Sequence, residues 1–496
     1  MTDTLIVGGG TAGCVLAARL SEDPAHTVRV LEAGPVWLEP QRWPAALRDA
    51  GRMPIDPTAP WLWRYTSTLD DGAGAAAAVV GQLVRGRVLG GSSSVNGSYF
   101  GRARAADFAA WSRIAGPLWD FDAVLPAYER SERDLDFGDR PGHGAHGPIP
   151  VRRTATGVPV SRLFADAVRA AGFGERADLN GLPDAGPSTG LAKVPCNVAD
   201  GRRVGTAAAY LLPAATRPNL RVDGEVPVSR ILFRRGRAVG VEYRRGRAAE
   251  TAWADRIVLC AGAVESAALL LRSGIGPPGQ LRALGITPVQ AAPVGSWCTD
   301  HPEIGVEYRL EPEPDRPPTV PLEYVLDLDD IEIRPYTVSF TPDTYRLGVA
   351  LMRPLAAGEL RLRSADPARP PVLEHRYLSA AADRDRLCAA AVLATDLLAA
   401  VPGARASTVA PPAAGERAAA WLRARLATSQ HLSGTCRMGG PEDPAAVVDA
   451  HCRVHGLAGL AVVDLSIVPV PLSRGPQASA VMLAERAAEF LRDGEF

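Results

Sequence analysis

The sequence predicts an α/β chain, α+β overall, in which a Rossmann-like nucleotide-binding domain carries a second domain built on an antiparallel sheet. Three observations carry this. An amino-terminal βαβ unit encloses a GxGxxG turn, a middle segment alternates apolar and polar residues, and the carboxy terminus runs from a strand into an apolar helix. At 496 residues the chain is too long for one core of ordinary size, which asks for two or three domains or one large domain with insertions.

The elements follow in order. Thr4 to Val7 is an apolar strand, Thr11 to Leu20 a helix and Thr27 to Leu31 a second strand. Trp, Pro and Gly dominate up to about Gly81, followed by a Gly/Ser cluster at Gly90 to Gly97, and both stretches read as loops. Pro148 to Pro159 reads as a boundary, Leu163 to Ala171 as a short helix, and the chain then reads as irregular to Pro195. Strand patterns return at Leu220 to Val228, Ala238 to Arg244 and Arg256 to Leu259, then at Glu303 to Leu310, Ile331 to Tyr336 and Leu347 to Met352. Leu460 to Val463 is a last strand before an apolar helix at Ser479 to Leu491.

Composition removes several classes of function. A formal charge of -1 with 22% charged residues gives no bias toward nucleic acid or an anionic membrane. The seven cysteines (Cys14, Cys196, Cys260, Cys298, Cys388, Cys436, Cys452) stand singly, without the paired spacing of a zinc site, so neither a metal nor a disulfide framework is expected. Met-Thr-Asp-Thr leads straight into Leu5-Ile6-Val7 without the features of a secretory signal, so the expected location is the cytoplasm. The apolar stretch from Leu387 to Val401 is interrupted by Asp396 and falls short of the roughly 20 residues of a membrane span, so it reads as a packed helix.

Gly8, Gly10 and Gly13 lie between strand and helix, and Glu32 closes the second strand 19 positions after Gly13. The first glycine allows the tight turn, the second lets backbone approach a pyrophosphate, and the third lets helix and strand pack closely. The helix amino terminus offers N–H donors to phosphate, and Glu32 can accept from ribose hydroxyls. A dinucleotide is therefore expected, and the motif alone does not choose between NAD and FAD.

Three further blocks make that choice. The run Gly86-Arg87-Val88-Leu89-Gly90-Gly91-Ser92-Ser93-Ser94-Val95-Asn96-Gly97, the run Gly262-Ala263-Val264-Glu265-Ser266, and His431-Leu432-Ser433-Gly434-Thr435-Cys436-Arg437-Met438-Gly439 followed by Val462-Val463-Asp464 resemble the signatures of the glucose-methanol-choline (GMC) oxidoreductases. The resemblance covers nearly the whole chain. Within the family, Arg64-Tyr65, Asp134-Leu135-Asp136-Phe137 and Gly147 to Arg153 are most similar to the mycofactocin-associated branch.

This resemblance implies an FAD-binding domain in three parts (1–150, 196–302 and 427–496) and a substrate-binding domain in two (151–195 and 303–426). It assigns the phosphates to Gly8, Gly10, Thr11, Ala12 and Gly13, and the ribose to Glu32 with Ala33. The loop around pyrophosphate and ring falls to Val88, Gly91, Asn96, Gly97 and Tyr99. Val228 falls on the adenine side, Ala261 and Gly262 on a close backbone approach, and Asp464 with Leu465 beside the pyrimidine end. Relatives with covalent FAD use a histidine where Val95 stands, so the FAD is expected to be non-covalent.

His431 matches the family's active-site histidine, and an imidazole with a near-neutral pKa suits the base that takes the hydroxyl proton as hydride leaves. The family's second His or Asn is replaced here by Gln477, which cannot act as a base but can donate to and accept from a substrate oxygen. Arg474 and Pro476 also depart from the usual turn. His26, His143, His146, His301, His375, His451 and His455 read as structural, and Cys436 as a small buried hydrophobe. The implied activity is oxidation of reduced mycofactocin, a peptide-derived carrier, with electrons passed toward the respiratory chain. That leaves a peripheral position at the inner membrane face open, with no integral membrane segment and no nucleic-acid partner. An ordinary small alcohol is the alternative substrate, and a catalytically silent flavoprotein adaptor, favoured only by Gln477, is a third reading.

Overall fold

In the computed structural model, residues 2–72, 77–154, 157–183, 186, 188–311, 319–412, 415–492 and 494 are described, so part of the expected boundary stretch, at 155–156, lies outside them. β1 (Thr2–Val7), α1 (Thr11–Leu20) and β2 (Val28–Leu31) form the amino-terminal unit. β1 pairs in parallel with β2 on one side and with the strand Ala248–Leu259 on the other, while Leu220–Asp223 and Leu460–Val462 continue the parallel sheet outward. Leu5, Ile6, Val30, Val258 and Ala461 are fully shielded, as expected of parallel strands covered on both faces. The first half of Ala248–Leu259 instead pairs antiparallel with Arg237–Arg245, which pairs with Val228–Arg234.

A second sheet of eight strands holds Pro302–Leu310, Tyr345–Leu351, Ile331–Pro335 and Tyr324–Asp327 as an antiparallel series, extended by Gly190–Lys193. Its apolar face packs against the helices Pro159–Ala170 and Ala381–Ala399, whose Phe164, Leu387 and Leu397 join Ile304, Val306 and Ile333 in a separate core. The mixed α/β architecture with two dominant sheets is the one expected. Among the described residues no helix is long and apolar enough to cross a membrane.

Two sequence expectations are corrected. Residues 62–86 hold a long hairpin, β3 (Leu62–Asp70) and β4 (Val79–Gly86), where loops were expected. Tyr65, Ser67 and Leu69 point inward while Thr66 is exposed, a period of two carried by Ser and Thr and hidden among Trp, Pro and Gly. The strand expected from Leu220 to Val228 is two strands, Leu220–Asp223 and Val228–Arg234. Gly224 and Pro227 break it, with Glu225 between them at φ 57°.

A buried ion knot ties the strand Glu132–Asp134 to Asp178. Arg102 binds Glu132 at 2.5 Å, and Arg153 binds Asp134 at 2.5 Å and Asp178 at 2.9 Å. His143 reaches Glu132 and Asp134 through Nδ1 at 3.1 and 3.2 Å and Asp178 through Nε2 at 2.7 Å. Glu132, Asp134 and His143 are close enough to chelate a cation, but the two guanidiniums already neutralise their carboxylates, and a charged imidazole completes the balance of three negative and three positive groups. Burial opposes protonation of His143, yet hydrogen bonds to Asp134, Asp178 and Glu132 outweigh it and lift the ring to about 10. A raised pKa contributes stability fully below the unfolded value of about 6.5 and loses it as pH rises through the folded value. The expected result is that His143→Gln lowers the urea midpoint most at pH 6 and least at pH 10. A midpoint difference that does not shrink across this range would remove the imidazolium from the knot.

Candidate active site

Two cavities flank the amino terminus of α1. The smaller, about 120 Å³, is lined by Gly8, Gly10, Glu32, Ala33, Gly91, Val228 and Ala261. The larger, about 250 Å³, takes Thr11, Asn96, Gly97, Tyr99, Leu465, His431 and Gln477 into one wall system. Most of the sequence-predicted residues thus fall into two groups joined at the glycine turn, one suited to the adenosine end of a dinucleotide and one to its reacting end.

The turn fits such a ligand. Gly8 has φ 101°, and a Cβ there would lie 2.6 Å from the Cys260 carbonyl oxygen; at Gly13 it would lie 2.0 Å from the Gly8 carbonyl oxygen. Gly10 is different: a Cβ would meet only Cys260 and Gly91 atoms at 3.6 and 3.8 Å, so the space beside it is open for phosphate. Glu32 directly follows β2, its carboxylate accepting from Gly9 N at 2.8 Å and Gly34 N at 2.7 Å, and burial pushes its carboxyl up.

Five of the predicted cofactor residues line neither cavity. Ala12 and Gly13 pack α1 on the sheet, and Val88 is fully buried, its carbonyl accepting from Gly91 N. Asp464 accepts from Gly262 N and Ser266 Oγ through Oδ2 and from Ser466 N through Oδ1, capping the helix Gly262–Arg272. Its neighbour Leu465 is the one that reaches the larger cavity.

In the larger cavity, His431 follows Gln430, whose φ of 68° turns the chain sharply. His431 Nδ1 lies 2.8 Å from His301 Nδ1, the rings meeting edge to face. Asp300 Oδ1 accepts from the backbone N–H of both histidines, at 2.7 Å from His301 and 2.8 Å from His431, and Asp300 Oδ2 accepts from Thr428 Oγ1. His301, expected to be merely structural, is therefore the direct partner of His431. Burial, only partly offset by Asp300, holds His301 down at about 4. Burial, then His301, Arg334 and Arg85, holds His431 well below the ordinary histidine value.

Gln477 opens the last long helix (Gln477–Arg492), and its Oε1 accepts from Asn96 Nδ2 at 2.5 Å. Its Nε2 is a buried donor with no partner, and the residue lines the larger cavity. The turn before it is held by buried Arg474, which binds Asp327 at 2.8 Å and the carbonyl of Leu179 at 2.5 Å. That ion pair crosses to the second sheet, a physical reason for the departure from the turn usual in the resemblance.

Sequence reasoning missed Arg85, Arg334, Tyr336 and Ser429 on the cavity wall. Arg334 is buried and bound to Glu332 at 2.7 Å, Glu303 at 3.0 Å and Ser429 at 3.0 Å. Tyr99 donates to the same Glu332 at 3.0 Å. The signal was weak: Ile331–Pro335 reads as an apolar strand in which Glu332 and Arg334 look like its solvent side, whereas both are buried.

Comparison with known proteins decides the family. A model described as GMC oxidoreductase matches residues 2–303, and its carboxy-terminal counterpart matches residues 354–484. The chain belongs to the GMC oxidoreductase family. As a GMC oxidoreductase it is an FAD-dependent enzyme acting on CH–OH groups. It is 43% identical to an uncharacterized GMC-type oxidoreductase of Rhodococcus erythropolis, with 99% of each chain covered. It is also 34% identical to mitochondrial choline dehydrogenase of Mus musculus, over 98% of this chain and 89% of that one. The crystal structure of pyridoxine 4-oxidase from Mesorbium loti superposes with a TM-score of 0.90 at 29% identity, covering 99% of both chains.

Proposed function

We propose that this GMC oxidoreductase oxidises an alcohol to its carbonyl form with His431 as the base and Gln477 as a hydrogen-bond donor to the reacting oxygen. One observation supports this above others: His431 and Gln477, whose amide N–H has no partner, line one cavity beside the glycine turn. When held between the glycine turn and the larger cavity, FAD would supply a two-electron acceptor for the carbinol hydrogen. In this reading His301 carries its proton on Nε2, which leaves its Nδ1 as an acceptor. His431 then donates from Nδ1 to His301 and presents a bare Nε2 to the hydroxyl proton. Burial keeps that ring neutral at physiological pH, as a base requires.

Among substrates, the finer reading is reduced mycofactocin, with electrons passing toward the respiratory chain; it rests on the branch resemblance. A second reading, an ordinary small alcohol, is favoured by the full-length likeness to pyridoxine 4-oxidase. Choline itself suits the site poorly, because Arg85 and, among the described residues, no carboxylate line the larger cavity. Val95 at the position of the attaching histidine makes the FAD non-covalent in this reading.

Anaerobic titration of the yellow protein tests the proposal. Bleaching by reduced mycofactocin alone is the result expected of the finer reading, and bleaching by a simple alcohol that of the second. No bleaching by either would leave the catalytically silent flavoprotein as the better account. Acid precipitation of the same sample should release all the colour, whereas a coloured pellet would contradict non-covalent binding.

A further inference from the structure

The two arginines that line the larger cavity are not equivalent. Arg334 spends its guanidinium on Glu332, Glu303, Ser429 and the Met352 sulfur. Arg85, near the end of β4, makes a single hydrogen bond, from Nη1 to the Val84 carbonyl at 2.8 Å. Among the described residues no carboxylate comes within ion-pair distance of it. The side chain is half-buried and lines the cavity that also takes His431. A guanidinium partly withdrawn from water without an ion-pair partner is costly: burial pulls its pKa down, and the more distant charge of Asp300 offsets this only in part.

The strand that carries Arg85 is clamped in place. Gln430 accepts from Val84 N at 2.7 Å through Oε1 and donates to the Gln82 carbonyl at 2.9 Å through Nε2, doing the work of a neighbouring strand. The same residue leads directly into His431, so one side chain fixes the spacing between the proposed base and the free guanidinium. On the same cavity wall Ser429, Gln430, Met53 and Ile55 are neutral, and Asp300, whose charge acts on Arg85, has its oxygens engaged by the backbone of His301 and His431 and by Thr428.

From this juxtaposition we infer that Arg85 is the receptor for an oxyanion on the substrate, a carboxylate or phenolate distant from the carbinol that His431 deprotonates. A planar fork of N–H donors matches a carboxylate and anchors one end of the molecule while the other end meets His431 and Gln477. The inference rests on His431 marking the reacting end of the cavity. The same guanidinium chemistry could also serve an oxygen of the FAD, and the test separates the two sources.

The probe is benzoate, a carboxylate with no carbinol, titrated into the FAD-loaded protein at constant ionic strength while the flavin absorbance band is followed. The wild type should show a saturable perturbation. Arg85→Met should weaken it about 10- to 100-fold, the loss expected for one charge-assisted contact, with FAD content and the resting spectrum unchanged. Arg85→Lys, which keeps the charge without the fork, should fall between them and guards against a folding defect in the first variant. Equal binding in wild type and Arg85→Met, or no perturbation in the wild type, would overturn the inference. Loss of FAD or a shifted resting spectrum in both variants would overturn it too, by assigning Arg85 to the cofactor. Because benzoate is not oxidised, its binding is read independently of whether an alcohol reduces the flavin.

Discussion

His431→Ala is expected to lower the rate of flavin reduction by about 100-fold or more, the usual contribution of a positioned base. FAD should remain bound, because the glycine turn and Glu32 belong to the other cavity and do not depend on this ring. The variant also unties Nδ1 of His301, so His301→Asn supplies a second readout. An asparagine can still accept from His431 Nδ1, so that variant should retain more activity than His301→Leu. The pH dependence follows from the direction of the shift. A histidine held well below its ordinary value is already neutral above pH 6.5, so the wild-type reduction rate should be flat from about pH 6.5 to 8 and fall only in more acidic solution. Stopped-flow reduction measures all of these. An unchanged rate in His431→Ala would exclude the ring as the base, and a midpoint near neutrality would contradict its burial.

How far this site could be read in the sequence depended on whether its contacts are local. Gly8, Gly10, Gly13 and Glu32 are legible because strand, turn and helix follow one another within one βαβ unit; Gly8 and Gly13 have steric reasons that the structure displays, and Gly10 keeps the space beside it open. The order of the eight strands in the second sheet was not legible, since it joins Gly190–Lys193 to Tyr324–Asp327 across 130 residues of intervening chain. His301 was read as structural because a lone histidine most often is; only the fold brings it onto His431. Glu332 and Arg334 were unreadable for a related reason. Their alternation with Ile331 and Ile333 is the mark of a half-exposed strand, yet both faces are covered and the charges satisfy each other.

That buried charge network gives the other large expectation. Arg334 stands between two carboxylates, Glu303 and Glu332, and all three are buried. Tyr336 donates to Glu303 and Tyr99 to Glu332, but neither hydroxyl carries a compensating charge. Arg334→Leu should therefore cost about 3–5 kcal/mol of stability, the range for a buried pair that loses one partner and leaves the other charge in place. Urea unfolding of the holoprotein would read this as a lower midpoint with the slope unchanged. Packing loss alone would also destabilise, so the decisive comparison is the triple variant with Glu303→Gln and Glu332→Gln. Removing the two stranded charges should restore a large part of the midpoint if desolvated charge is the cause. A triple variant no more stable than Arg334→Leu would instead place the cost in the lost volume and hydrogen bonds of the arginine, and the network would then act as packing.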